Sequence, residues 1–66
     1  MYQVKIDGNG YWEPLSRDKV IYVMAVAGGH PLPWVERQMT TLDRAARTRG
    51  DATWRTGNAT LLVRPS

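Results

Sequence analysis

Residues 34–49 read WVERQMTTLDRAARTR and predict the clearest helix of the chain. At about 100° per residue, their apolar side chains fall on one stripe of the helix. The stripe consists of Trp34, Val35, Met39, Leu42, Ala45 and Ala46. The opposite side carries basic and hydroxyl side chains, namely Arg37, Thr40, Thr41, Arg44, Arg47 and Thr48. This pattern is typical of a helix that covers a core, and Gly50 supplies its left-handed end.

The segment after this helix predicts a β-hairpin. Residues 57–58, a Gly-Asn pair, suit a two-residue turn because both residue types tolerate positive φ. With that turn, Trp54 pairs with Leu61 and Ala52 pairs with Val63 on one face of the hairpin. The other face would carry Thr53, Arg55, Thr60, Leu62 and Arg64.

The first residues predict a second, shorter hairpin. Residues 2–6, YQVKI, alternate between apolar and polar side chains, as a half-buried strand does. Residues 7–10, DGNG, supply a hairpin turn. A return strand through Tyr11 and Trp12 should follow, and we expect Pro14 to stop it because proline lacks the N–H for a ladder bond.

The apolar segment between the turn and the long helix has two interpretations. Ser16 can cap a helix, and the negative charge of Asp18 is favourable near the positive N-terminal end of the helix dipole. Gly28 and Gly29 can end the helix, so we expect it to run to residue 27. Residues 19–27 are nevertheless rich in β-branched side chains and apolar on every side. The alternative is therefore a central strand, with one helix packed on the sheet.

Together these elements predict a single small α+β domain over residues 1–66, ordered strand, strand, helix, helix, strand, strand. A chain of 66 residues buries only roughly 60% of its unfolded surface. The chain has no cysteine and one histidine, so we expect neither a disulfide nor a metal site to stabilise the fold. We expect a homodimer that covers residues 20–26, because a thin monomer cannot bury this segment fully.

The sequence argues against catalysis, cofactor binding and membrane insertion. The single histidine, His30, has no carboxylate at helical spacing to orient it, so neither a nucleophilic triad nor a metal site is indicated. The longest apolar run, residues 20–27, is far shorter than the roughly 20 residues of a membrane span. The N-terminus lacks the features of a secretory signal. We expect a cytoplasmic protein that is not an enzyme.

Positive charge is concentrated in the second half of the chain. Residues 1–36 carry three cations and four carboxylates, whereas residues 37–66 carry six arginines and two carboxylates. Arginine suits phosphate because its planar group donates several hydrogen bonds at once. A solvated helix face with no binding role is the competing interpretation. We predict nucleic-acid contacts from Arg37, Arg44, Arg47, Arg55 and Arg64. By architectural analogy only, a basic helix followed by a basic hairpin is similar to a winged helix.

A protein-interaction module is the alternative function. Tyr11 and Trp12 follow a turn, and aromatic and arginine side chains dominate the energetic centres of protein interfaces. The chain would then be a small inhibitor or adaptor, of the kind that mobile elements encode, docked on a larger protein. Salt dependence separates the two functions, because phosphate neutralisation weakens steeply with salt.

Overall fold

The computed structural model describes residues 1–7, 10–56 and 59–65. These residues form two helices and a four-stranded antiparallel sheet. The elements are β1 (Tyr2–Ile6), β2 (Glu13–Leu15), α1 (Arg17–Gly28), α2 (Leu32–Arg49), β3 (Ala52–Arg55) and β4 (Thr60–Pro65). The predicted α+β class and the order of elements are confirmed. The predicted turn residues 8–9 and 57–58 lie outside the described residues.

The sheet has the strand order β2-β1-β4-β3, so the first and last strands are its central pair. β1 and β4 pair from Tyr2 opposite Pro65 to Ile6 opposite Leu61. The predicted register of the last hairpin is confirmed, since Trp54 lies opposite Leu61. The sequence did not predict the β1–β4 pairing. It makes the C-terminal hairpin part of a continuous sheet, so the winged-helix analogy extends only to the order of elements.

The first hairpin differs from its prediction. β2 begins at Glu13, so Tyr11 and Trp12 precede the strand instead of forming it. Pro14 lies inside β2, opposite Gln3. The prediction that proline would stop this strand is wrong. β2 is an edge strand, and a proline whose backbone nitrogen lies at the unpaired edge of a sheet removes no ladder hydrogen bond.

The segment after β2 is helical, so the alternative of a central strand at residues 19–27 is wrong. The Ser16 side chain accepts a hydrogen bond from the Lys19 backbone N–H at 3.2 Å. At the other end, Gly29 takes the left-handed conformation with φ of 68°, and its N–H donates to the Ala25 carbonyl. Both helix-end signals outweigh the β-branched composition between them.

The core lies between the two helices and one face of the sheet. Val35, Met39, Leu42 and Ala46 of the predicted α2 stripe are buried, and α2 packs on β3, β4 and α1. The helix begins at Leu32, two residues earlier than predicted, with proline in its first turn. Facing α2, the fully buried sheet residues are Val4, Leu61 and Val63. In the described part of the chain, neither helix is long and apolar enough to cross a membrane.

Candidate functional site

The structure separates the five arginines predicted to bind nucleic acid into two groups on opposite sides of the molecule. Successive strand residues point to opposite faces, and Trp54 and Val63 are buried under the helices. Arg55 and Arg64 therefore project from the other face of the sheet, where both are exposed. The remaining three lie on α2, which covers the first face. The hairpin arginines thus do not extend the basic face of α2.

On α2, the arginines differ in how freely they can reach a ligand. Arg37 and Arg44 are seven residues apart and exposed, so they lie within about 20° of each other on the helix. Arg47 instead donates from Nε to both carboxylate oxygens of Asp43, at 3.0 and 3.1 Å. Asp43 also accepts a hydrogen bond from the hydroxyl of Tyr2, a buried residue of β1. Arg47 therefore joins a clamp between β1 and α2, which offsets its charge.

The contacts among Tyr2, Asp43 and Arg47 also shift the pKa values of Asp43 and Arg47. The hydrogen bond from Tyr2, followed by the hydrogen bond and the charge of Arg47, lowers the pKa of Asp43 below its ordinary value. Asp43 in turn raises the pKa of Arg47. Because the carboxylate stays ionised beside the guanidinium, Asp43 and Arg47 together add little net charge to α2.

Other groups reduce the positive character of the helical side further. Arg37 and Arg17 line the groove between α1 and α2 together with Asp18 and Glu36, so two cations face two carboxylates there. The hydroxyls of Thr40 and Thr41 donate to helix carbonyls four residues earlier, at 3.2 and 3.5 Å. The basic and hydroxylated helix face predicted from the sequence is therefore of mixed charge, and the hydroxyls of Thr40 and Thr41 already donate within the helix.

The sheet face turned away from the helices, called the open face below, has a different chemistry. Its register places Lys5, Leu62 and Thr53 side by side across three strands. Leu62 is half-buried at the centre, between basic and hydroxyl neighbours. The described strand residues of the open face are Gln3, Lys5, Pro14, Thr53, Arg55, Thr60, Leu62 and Arg64. This set holds three cations and no carboxylate.

A carboxylate does lie at the rim of the open face. Asp7, with φ of 49°, follows β1 and pairs through its backbone N–H with the Thr60 carbonyl at 2.8 Å. Its side-chain Oδ1 accepts the Thr60 backbone N–H at 2.9 Å. The Asp7 side chain thus caps the end of the ladder.

Trp12 completes the open face. It precedes β2 by one residue, and continuing the β1–β2 register places it opposite Lys5. The Lys5 Nζ lies 5.0 Å from the centroid of the Trp12 ring, and the Arg64 Cζ lies 4.0 Å from it. Both distances are within cation–π range. Arg64 was predicted to contact nucleic acid, and Trp12 to contact a protein partner. In the structure they form one site with Lys5, called the Trp12 cluster below.

Sequence reasoning missed Lys5 as a member of the Trp12 cluster and Gln3 as a neighbour of Arg64 on the open face. Their alternation with apolar residues in β1 showed that they face away from the core. Only the pairing of β1 with β4 places them beside Arg64. Tyr11, the other predicted partner-binding residue, is 61% exposed next to the cluster.

His30, the single histidine of the sequence, packs against two tryptophan rings. Its ring lies 4.2 Å from the centroid of Trp34 and 6.4 Å from that of Trp54. Across residues 1–7, 10–56 and 59–65, no group of three His, Cys, Asp or Glu side chains could hold a metal ion.

Comparisons of the chain with protein-family models, with curated proteins and with solved structures give no significant match. The chemistry of the molecule's own surfaces is therefore the basis for assigning a function.

Proposed function

We propose that the protein is a small nucleic-acid-binding accessory or regulatory protein of the cytoplasm, with no catalytic role, that contacts the sugar–phosphate backbone through its open face. The observation that carries this proposal is the concentration of Lys5, Arg55 and Arg64 on one sheet face whose described strand residues include no carboxylate. Basic side chains, together with Thr and Gln, are the usual protein partners of phosphate and sugar oxygens.

The mechanism is neutralisation of phosphates with release of their counterions. Three cations that each meet one phosphate give a slope of log affinity against log salt of about −2 to −3. The hydroxyls of Thr53 and Thr60 and the amide of Gln3 lie among these cations and supply further donors. The net charge of +3 adds a weaker, long-range attraction that does not depend on which face binds.

The open face suits this role better than α2 does. On α2, Arg47 is paired with Asp43, and Arg37 shares its groove with one further cation, Arg17, and with the carboxylates of Asp18 and Glu36. Arg44 remains exposed and can strengthen binding from a distance. We therefore assign direct phosphate contacts to Arg55 and Arg64, and a secondary, long-range effect to Arg37 and Arg44.

The test compares two double charge reversals, Arg55→Glu with Arg64→Glu and Arg37→Glu with Arg44→Glu. Each lowers the formal net charge of +3 by the same four units. Binding to mixed-sequence oligonucleotides is measured by fluorescence anisotropy at several salt concentrations. The first pair should abolish binding, whereas the second should weaken it only modestly. Equal losses would show a general charge effect, and wild-type protein that binds no nucleic acid at micromolar concentration would refute the proposal.

A protein-interaction module is the second candidate, and the observation that favours it is the exposure of Tyr11 beside the Trp12 cluster. Aromatic and arginine side chains there could anchor the chain on a larger protein, as a small inhibitor or adaptor from a mobile element would require. Such binding depends weakly on salt, so capture of a host protein that survives nuclease and high salt would favour it.

Self-association is compatible with both functions. Tyr22 and Val26, one turn apart on α1, are 59% and 64% exposed, and Leu32 at the start of α2 is 53% exposed. The homodimer predicted from residues 20–26 would bury Tyr22 and Val26 against its own copy, leaving the open face available.

A further inference from the structure

The Trp12 cluster adds an aromatic ring to a basic surface, and this combination determines which form of nucleic acid suits it. Proteins that bind single strands combine a positively charged path for the backbone with aromatic side chains on which bases stack. We infer that the open face binds single-stranded nucleic acid, with an unpaired base stacked at Trp12. This inference rests on the proposed function and deepens it by naming the form of the ligand.

The ring is held in place before a ligand arrives. Trp12 is half-buried, with the Arg64 Cζ 4.0 Å and the Lys5 Nζ 5.0 Å from its centroid. A side chain that is already ordered loses less entropy on binding. Bases stack on the plane of an arginine guanidinium as well as on aromatic rings. The cluster therefore offers surfaces for a base and two cations for the adjoining phosphate.

The dimensions of the open face exclude insertion into a groove of duplex DNA. Four strands at a spacing of about 4.8 Å place the outer strands about 14 Å apart, while the major groove is about 12 Å wide. The groove admits a helix or a two-stranded ribbon, but β4 is a central strand flanked by β1 and β3. Paired bases are also stacked inside the duplex, so their faces cannot reach Trp12.

A single strand, in contrast, can lie along β4. From Arg64 to Thr60 the strand advances about 14 Å, and Arg55 lies opposite Thr60 on β3. The half-buried Leu62 lies between these ends, with Lys5 and Thr53 on its two sides. The path thus begins at the Trp12 cluster, crosses an apolar centre flanked by donors and ends at a second cation. Binding of this kind tolerates many sequences, because every base has a face that can stack.

The test measures wild-type affinity for a labelled mixed-sequence single-stranded oligonucleotide and for its duplex at the same ionic strength. Trp12→Leu should weaken single-strand binding about 5- to 150-fold, the effect of losing one stacked base, while Trp12→Phe should retain most of it. In both variants, the affinity for the duplex should equal that of the wild type. Tyr22→Leu is the matched control, because this exposed tyrosine has Lys19 5.5 Å from its ring on the helical side; it is compared at a protein concentration at which light scattering gives it the same mass as the wild type. It should leave single-strand affinity unchanged.

A second measurement, of tryptophan fluorescence, uses the wild type and Trp12→Phe. It therefore does not depend on whether Trp12→Leu folds. Addition of the single strand should quench tryptophan fluorescence in the wild type, and this quenching should disappear in Trp12→Phe, which retains Trp34 and Trp54. Equal affinity for both forms, or quenching that persists without Trp12, would overturn the single-strand inference and leave nucleic-acid binding standing. No binding to either form would overturn both.

Discussion

Truncation of one leucine on each side of the sheet tests which face belongs to the core. Leu42→Ala removes a side chain that is 5% exposed between α2 and the sheet. Such truncations cost about 2 to 5 kcal/mol. Leu42 also lines a groove between α2 and β3, where neighbouring side chains can relax, so we expect about 2 to 3.5 kcal/mol, in the lower part of that range.

The matched variant, Leu62→Ala, makes the same truncation on the open face. Leu62 is half-buried, and full burial of a leucine contributes about 1.5 to 3 kcal/mol, so its loss should cost about 1 kcal/mol. At 0.05 to 0.15 kcal/mol per residue, the whole domain has a stability of only about 3 to 10 kcal/mol. The Leu42 variant should therefore melt about 8 to 28 °C below the wild type.

Thermal melts followed by circular dichroism, with urea titrations at equilibrium, measure both free energies of unfolding. If Leu62→Ala lost as much stability as Leu42→Ala, the open face would be part of a buried core or a tight subunit interface. An unchanged melting temperature for Leu42→Ala would show that the buried stripe of α2 has been assigned to the wrong side.

Three further outcomes follow from packing and charge. Gly28→Ala should lose about 1 to 2 kcal/mol, because its new Cβ would lie 2.8 and 3.0 Å from two packed aromatic rings, while Gly10→Ala, with open space around it, should lose less in the same urea titration. Asp43 has a lowered pKa in the folded state, so its contribution is complete above its ordinary value of 3.8 and disappears as the pH falls through the lower folded value; acid titrations should show a shallower loss of stability in Asp43→Asn below about pH 4. Light scattering should give a dimer mass for the wild type and a monomer mass for Tyr22→Ser combined with Val26→Ser, since these exposed side chains would form the contact; a wild-type monomer at high concentration would contradict this.

Local signals in the sequence were sufficient for the start of α1, for the end of α2 and for one hairpin. Ser16 and Gly50 act within one helical turn of their own positions, so tertiary context changes them little. The pairing of Trp54 with Leu61 follows from the short connection between the two strands. Features of this kind are encoded by neighbours in the sequence.

The parts that could not be predicted depend on contacts between distant segments. Pairing of β1 with β4 leaves no local pattern, yet it decides that Pro14 lies in an edge strand and that Lys5 lies near Arg64. The alternation in β4 placed Arg64 away from the core, but only the packing of α2 showed that Arg37 faces the opposite direction. The candidate site is therefore a product of tertiary structure.

The central pairing of β1 with β4 also has a kinetic consequence. Tyr2 meets Pro65 across nearly the whole chain, so β1 and β4 cannot pair with each other until the largest loop in the domain has closed. Closing such a loop costs entropy before its contacts return any stabilisation, and domains rich in such contacts fold slowly for their size. The helical hairpin of α1 and α2 and the two local strand pairs, β1 with β2 and β3 with β4, can form early, but they share a core only after that closure. During synthesis, β4 is the last of these six elements to emerge, and the apolar faces of β1 and α2 stay only partly covered until it arrives.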